Sequence, residues 1–251
     1  MSKEVLFSII TVCYNAEDVL NETIQSVVGQ KFEQIEYIII DGNSTDGTLN
    51  IIRNYEDKVD CVISEPDQGI YDAMNKGLRL AKGKFVNFLN AGDRFVSNSI
   101  LNEITSQIDI SFTEIISGDF ILINNKNNTQ RNIRTKSISY NNLKKDFYAC
   151  HQSIFINKNI AKEYDLNYQI KADYKWVLEA LAQVKEDQVC KLDFPIVYYA
   201  EEGFSNNYLF KNLKELIQLH YEFFGPWQVI KNSHIYIYRL LRSLKDILVN
   251  S

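Results

Sequence analysis

Residues 85–95 read FVNFLNAGDRF, and the rest of the chain is organised around that stretch. Lys84 to Leu89 has the apolar, aromatic make-up of a buried strand, and Asn90-Ala91-Gly92-Asp93 is a polar, glycine-bearing break at its carboxyl end. In an open α/β sheet, ligands bind beyond the carboxyl ends of the strands. A carboxylate and a carboxamide delivered there offer oxygens to a hard cation or to a phosphate-bearing ligand. Taken alone, the same four residues read equally well as a plain β-turn. The surrounding chain decides between the two.

On the amino-terminal side, strand and helix patterns alternate. Val5 to Cys13 is almost continuously apolar and β-branched, as in a central strand covered on both faces. Tyr14-Asn15 ends it, and Val19, Leu20, Ile24, Val27 and Val28 recur at helical spacing, predicting a helix over 16–30 with Asn15 as its cap. Glu36 to Ile40 is a second buried strand ending in Asp41. The turn Gly42–Thr48 leads into a helix through Tyr55, and Asp60 to Ser64 is a third strand. A helix over Ile70–Ala81 precedes the Lys84–Leu89 strand, and another covers Ser99–Gln107. Short connections between alternating strands and helices predict a mostly parallel, Rossmann-like central sheet flanked by helices. No GxGxxG follows the first strand and no GxxxxGK[ST] occurs, which excludes the usual dinucleotide and P-loop signatures.

Beyond Glu114 the pattern changes. Glu114 to Asn124 reads as a strand, with an asparagine-rich loop and a return strand over Ile133–Ser139. Ser153 to Ile156 is a short strand behind His151-Gln152, Tyr174 to Leu181 a helix behind Lys171-Ala172-Asp173, and Val189 to Tyr199 a further strand. Helices over Leu209–Phe223 and His234–Val249 are parted by Gly225-Pro226-Trp227.

The chain has 251 residues, 45% hydrophobic and 24% charged, which fits one large domain or one domain with an appended segment. A net charge of −5 argues against nucleic acid as a partner, since phosphate binding draws on clustered lysine and arginine. Cys13, Cys61, Cys150 and Cys190 are far apart with no CxxC pair, the pattern of free thiols in a reducing compartment. With no secretory signal and no apolar stretch long enough to span a bilayer, the expected location is cytoplasmic.

Two quoted runs carry a resemblance: SIITVCYNAEDVLNETIQSVVGQKFEQIEYIIIDGNSTDGT (8–48) and EPDQGIYDAMNKGLRLAKGKFVNFLNAGD (65–93). Together they resemble family 2 glycosyltransferases of the GT-A fold, in particular the bacterial branch that builds capsule, exopolysaccharide and O-antigen. The likeness is close over about the first hundred residues, looser as far as Tyr199, and is not claimed beyond Phe204. It implies a GT-A domain over 1–203, with a donor half (1–95) and an acceptor half (96–203), and a helical extension over 204–251. It also implies an inverting transfer from a nucleotide-diphosphate sugar, UDP-linked by expectation, to a saccharide or lipid-linked hydroxyl, assisted by Mg²⁺ or Mn²⁺.

Site residues follow position by position. Asp41, with Thr11, Tyr14, Asn15 and Ser44, is expected at the nucleotide, where a carboxylate accepting from a base or ribose gives specificity that apolar packing lacks. Family members often carry two adjacent acids here; this chain has Asp41-Gly42. Asp67, Gly69, Asp72 and Asn75 are expected at the donor sugar, Asp72 and Asn75 sharing a helical face; Asp67 suits a helix cap equally well. Lys76 is available to a phosphate. Where the family places an Asp-x-Asp motif, Asn90 replaces the leading acid, so Asn90, Ala91 and Gly92 are assigned to the donor and Asp93 to the metal. Mg²⁺ commonly uses only one or two protein carboxylates, with phosphate oxygens and water completing its shell. Asp173 matches the catalytic base, a role worth roughly 10²–10⁴-fold, though a helix cap suits it too. His151-Gln152 matches an acceptor-facing pair, and Asp119 has only its position to recommend it.

The tail follows a different logic. Leu240, Leu241, Leu244, Ile247 and Leu248 form one helical face and Arg239, Arg242 and Lys245 another, with Trp227, Tyr236 and Tyr238 nearby. That pattern suits an anionic membrane surface, a homodimer partner or the chain's own domain. Two rival readings stay open at this stage: a nucleotidyltransferase making an activated sugar, and a catalytically silent nucleotide-sugar-binding module.

Overall fold

The continuous apolar run at the start of the chain becomes β1 (Phe7–Cys13), buried at every position. In the computed structural model, which describes residues 4–124, 129–145, 149–200 and 209–250, β1 lies inside the sheet with a parallel strand on each side. β2 (Ile35–Asp41) pairs with it on one flank and β4 (Phe85–Phe88) on the other, and β3 (Cys61–Ser64) continues outward from β2. The order β3-β2-β1-β4 places a topological switch between β1 and β4, where ligand crevices form in such sheets.

The two faces are covered by different helices. Ile10 and Val12 of β1 share a core with α3 (Ile70–Leu80), α5 (Ala172–Leu181) and α6 (Leu209–Lys231). Phe7, Ile9 and Cys13, one residue out of phase, pack with α1 (Leu20–Val28) and α4 (Ile100–Gln107). Period-two alternation onto two apolar layers is why the strand shows no polar face in sequence. α3 lies close against β1: a Cβ on Gly77 would stand 2.4 Å from Ile10 Cγ2, so the helix approaches where only glycine fits.

The sheet then runs on through antiparallel strands. β8 (Ile154–Asn157) pairs with β4, and β6 (Ile115–Asn124) with β8; β9 (Val189–Ala200) lies parallel to β6, with a bulge at Asp119. β5 (Arg94–Phe95), absent from the sequence reading, pairs antiparallel with β9 directly behind Asp93. The return strand is β7 (Thr129–Ile133), not Ile133–Ser139. Its residues TQRNI are nearly all exposed, so an edge ladder forms with no apolar periodicity to reveal it. Residues 125–128 of the asparagine-rich loop lie outside the described residues, and the loop's last four, 129–132, belong to β7.

Two caps also differ from expectation. Asn15 has φ 46° and does not cap α1, which begins only at Leu20 behind a turn at 16–19. Asp67 is not the N-cap of α3; that position is Gly69, at φ 117°. In the tail the expected break is present: Gly225 (φ 78°, ψ 174°) is non-helical and divides α6 into two helical segments, with Pro226 opening the second, and α7 (Ser233–Asn250) follows. Leu216, Leu219 and Tyr236 belong to the same core as Tyr174, Trp176 and Leu178. The boundary drawn between 203 and 204 lies outside the described residues, and the helices beyond it share a core with those before it.

Candidate active site

Asp41 ends β2 at the crevice, but it is fully buried and its oxygens are already engaged. It accepts from the Ser44 amide at 3.0 Å, from the Ser44 hydroxyl, and from Ser64 Oγ at 2.6 Å. Ser44 Oγ in turn accepts from the Asn15 amide at 2.8 Å, and Asn15 Oδ1 accepts from the Thr45 amide at 2.9 Å. These groups knit the loops after β1 and β2 into one rim. Tyr14 stands out from that rim, 64% exposed, so it is not a core residue. A Cβ on Gly42 would lie 3.4 Å from Tyr14 Cδ2 and 2.5 Å from Asp67 Oδ2. The glycine therefore makes room for the Asp67 carboxylate at the end of β2.

The second corner is built around a buried amide in the deciding strand. Asn87 Nδ2 donates to the carbonyls of Gln152 (2.8 Å) and Ile154 (2.9 Å), fixing the 3₁₀ turn His151–Ser153 against β4. From that turn Gln152 Nε2 donates to Asp93 Oδ2 at 2.8 Å, while the Ala200 amide donates to Asp93 Oδ1 at 3.0 Å. His151 Nδ1 lies 3.4 Å from Asp173 Oδ2. Two consecutive residues thus tie Asp93 to one side and Asp173 to the other. Asp173 sits in the first turn of α5, and Tyr71 from α3 closes the arc: its hydroxyl donates to the Ile170 carbonyl at 3.0 Å and lies 3.5 Å from Asp173 Oδ1. Asp173 also accepts from the Tyr174 amide at 2.8 Å, and the N-cap position of α5 is Lys171, not Asp173.

The electrostatics separate the two acids. Burial dominates at Asp93 and pushes its carboxyl up to about 7, although the Ala200 amide, Gln152 and His151 pull the other way. Burial acts on Asp173 as well, but there the His151 hydrogen bond and charge, Lys171 and the Tyr174 amide outweigh it and hold the carboxyl below the usual range. Burial and then the Asp173 charge raise Tyr71. One site therefore keeps one acid easily protonated and the other ionised.

Several expected residues turn out to be structural. Thr11 is fully buried inside β1, its hydroxyl donating to the Leu89 carbonyl at 2.8 Å and meeting Tyr37 Oη at 3.0 Å, so it does not line the crevice. Asn75, 3% exposed, donates to the Tyr164 carbonyl at 2.9 Å and accepts from the Tyr164 amide at 2.7 Å, so it clamps that backbone from inside the core. Lys76 is held by Glu65 and the Pro66 carbonyl. Asp119 is bound to Lys191 at 2.7 Å and to the Thr135 amide. Asp67 accepts from the Gly69 amide at 2.8 Å, Asp72 from the Gln68 amide at 3.0 Å, and Gly69 has open space where a Cβ would be, so these three form the mouth of α3 at the rim. Gly92 (φ 97°) donates its amide to Thr23, and Ala91 to the Val12 carbonyl, which fixes the turn carrying Asp93. Tyr71 and Asn87 were missed in the sequence, being an aromatic beside an acid and an amide inside an apolar run.

Among the described residues no group of three or more His, Cys, Asp or Glu is placed to hold a metal ion. Asn90 Oδ1, on the same turn as Asp93, is buried without a hydrogen-bond partner, as is His151 Nε2. A carboxylate and a carboxamide oxygen on one turn suit a hard cation that completes its shell with phosphate and water.

A sheet with a switch between β1 and β4, a rim of loops beyond its strand ends and two differently tuned acids beside it fit the GT-A class of sugar-nucleotide transferases. The family model "Glycosyl transferase family 2" matches residues 8–168, and the chain belongs to that family. It is an inverting glycosyltransferase. It is 29% identical over 184 residues to the Escherichia coli UDP-Glc:α-D-GlcNAc-diphosphoundecaprenol β-1,3-glucosyltransferase WfaP, covering 71% of each chain. It is 25% identical over 215 residues to the E. coli enzyme WfgD of the same description, covering 83% of each. Staphylococcus aureus TarS 1–349 in complex with UDP-GlcNAc superimposes with a TM-score of 0.71 at 18% identity, over 87% of this chain and 66% of that one. Against a longer TarS chain the score is 0.68 and this chain spans 39% of it. A Pyrobaculum calidifontis mannosyltransferase in complex with GDP-Man and Mn²⁺ gives 0.58 at 16% identity, over 96% and 72%. Likeness at these identities establishes the shared fold.

Proposed function

We propose that the protein transfers a hexose from a UDP-sugar to a hydroxyl of a saccharide carried on a lipid diphosphate, in the building of a bacterial surface polysaccharide. The observation that carries this reading is the His151-Gln152 turn, which ties Asp93 and Asp173 into one site. The names of WfaP and WfgD support the donor nucleotide and the acceptor class, and the UDP-GlcNAc complex of a like-folded protein supports the nucleotide.

In this mechanism Tyr14 covers the base at the rim and the loop from Asp67 to Asp72 faces the donor sugar. Asp173, kept ionised, takes the proton from the acceptor hydroxyl as that oxygen bonds to the anomeric carbon from the face opposite the diphosphate. The anomeric carbon–oxygen bond to the diphosphate breaks, and the nucleoside diphosphate leaves with the bonding electrons. His151, through its unpartnered Nε2, orients the acceptor. Asp93 and Asn90 would hold a divalent cation, Mg²⁺ or Mn²⁺, whose contribution when bound is to neutralise charge developing on the departing diphosphate.

Incubation with UDP-sugars and a GlcNAc-diphospholipid tests this directly: a glycosylated lipid and an equal amount of UDP are expected. Pyrophosphate release with formation of a nucleotide sugar would favour a nucleotidyltransferase; nucleotide binding without transfer or hydrolysis would favour a silent module. Exposed Trp227, Ile230, Ile237, Tyr238 and Leu241 on the last two helices, with Lys231 beside them, support peripheral contact with an anionic bilayer that presents the acceptor. The side chains of 242–250 lie outside the described residues. No helix among the described residues is long and apolar enough to cross a membrane. Removal of residues 226–251 is expected to abolish co-sedimentation with anionic liposomes; unchanged binding overturns the membrane reading, and dimer loss instead would point to a second copy.

A further inference from the structure

The base proposed above lies in the second residue of α5, and the segment leading into it has three consecutive amides that no helix satisfies. All three point at one carboxylate. Glu215 Oε1 accepts from the Gln169 amide at 3.0 Å, and Oε2 accepts from the amides of Ile170 and Lys171 at 2.9 Å each. Glu215 is 4% exposed and comes from α6, beyond the 8–168 stretch that the family model matches. Successive backbone N–H groups converging in this way form an anion nest, and the amino-terminal end of α5 adds its dipole. Charge-assisted bonds of this kind are among the strong ones.

The clamp extends to the reacting group. Ile170, held by its amide to Glu215, is held by its carbonyl to the Tyr71 hydroxyl, which in turn reaches Asp173. A second carboxylate of α6, Glu222, accepts from Tyr168 Oη and Lys175 Nζ at 2.7 Å each, on either side of the same segment. The chain from 168 to 175 is thus gripped from α6 on both flanks, with the buried charge at its centre.

We propose that Glu215 is a positioning residue for sugar transfer: it fixes the backbone of 169–171, and with it the bearing of Asp173 on His151 and the acceptor. The helix that the sequence presents as an appendage is then part of the catalytic apparatus. This rests on Asp173 being the base. Among the described residues no hydrogen bond or ion pair joins Asp173 to Glu215, so the effect passes through the main chain and Tyr71.

Three proteins test it: wild type, Glu215→Gln, and Tyr236→Phe, which removes a 2.6 Å bond to buried His220 in the same helical packing without touching the 169–171 segment. Glu215→Gln turns one oxygen into a donor that faces amides. It is expected to leave the Kd for UDP within about 2-fold and to lower kcat by ~10²-fold, the size of a misplacement near 1 Å. The Tyr236→Phe protein is expected to lose melting temperature as well, yet to keep kcat within about 2-fold of wild type. Amide exchange at 169–171 is expected to quicken in Glu215→Gln alone. Full kcat in a folded Glu215→Gln protein, an equal kcat loss in Tyr236→Phe, or unchanged exchange at 169–171 would each overturn the proposal. Inactive wild type on every donor and acceptor would instead overturn the functional reading, and the exchange result would still decide for or against the clamp.

Discussion

Replacing His151 should move the acid limb of the pH–rate profile upward. In the structure His151 Nδ1 stands 3.4 Å from Asp173 Oδ2, with the two side chains 12% and 20% exposed. Burial of Asp173 raises its carboxyl, and the hydrogen bond and charge of His151 oppose it and carry the balance below the ordinary value. Wild type therefore keeps its base ionised to low pH, and its limb lies below the ordinary carboxylate value. His151→Leu removes hydrogen bond and charge together and leaves burial unopposed. The folded pKa rises, and the acid limb should move to higher pH. Each unit of that rise makes the rate ~10-fold lower at a pH below the new limb, since one unit is a factor of ten in the ionised fraction. His151→Gln, which keeps a polar contact without the charge, should fall between. Stability follows the same sign. The depressed carboxyl of wild type adds stability that is present above the unfolded pKa and lost as pH falls through the folded value. Wild type and His151→Leu should thus converge in urea midpoint in strong acid and separate above it. The assay is kcat/KM for sugar transfer from pH 4 to 9, with the midpoint measured alongside. A limb that stays where it is, or moves to lower pH, refutes the pairing as the source of Asp173's ionisation.

Tyr14→Ala should weaken UDP binding by about 5- to 100-fold, the worth of one base–aromatic stack, measured by calorimetry; unchanged affinity would remove Tyr14 from the nucleotide site. Asn75→Ala should cost about 1–3 kcal/mol of stability by stranding the Tyr164 backbone groups. It should leave the Kd for the UDP-sugar unchanged, and weaker binding with normal stability would restore Asn75 to the donor pocket. Asp93→Ala should abolish any gain in nucleotide affinity produced by millimolar Mn²⁺, read in a thermal-shift titration with and without the ion; a gain that survives would place the cation elsewhere.

The parallel half of the sheet was legible because β1, β2 and β4 are buried on both faces and so read as unbroken apolar runs. β5 and β7 were not, one being two residues long and the other an exposed edge held by backbone bonds alone. Strand-end acids are equally readable: Asp41, Asp93 and Asp173 all lie where their elements stop or start. What each acid does was less readable, because that depends on partners distant in sequence. Asp41 turns inward to Ser44 and Ser64, and Thr11 sits too deep in β1 to meet a ligand. Asn75 shares a helical face with Asp72 yet meets Tyr164, a residue no local pattern links to it. Tyr71, Asn87 and Glu215 had no motif of their own, and their roles emerge only when α3, β4 and α6 are folded against the turn at 151 and the start of α5. Asn87 offered the one available hint, an amide inside an otherwise apolar strand, since a buried polar group needs a partner.

The account stands or falls on the ionised carboxylate at the head of α5 acting on the acceptor. With UDP-sugar and a GlcNAc-diphospholipid, Asp173→Asn should transfer ~10²–10⁴-fold more slowly than wild type while binding UDP with the same affinity. A variant that still transfers at the wild-type rate, or one that is folded but no longer binds UDP, would contradict it.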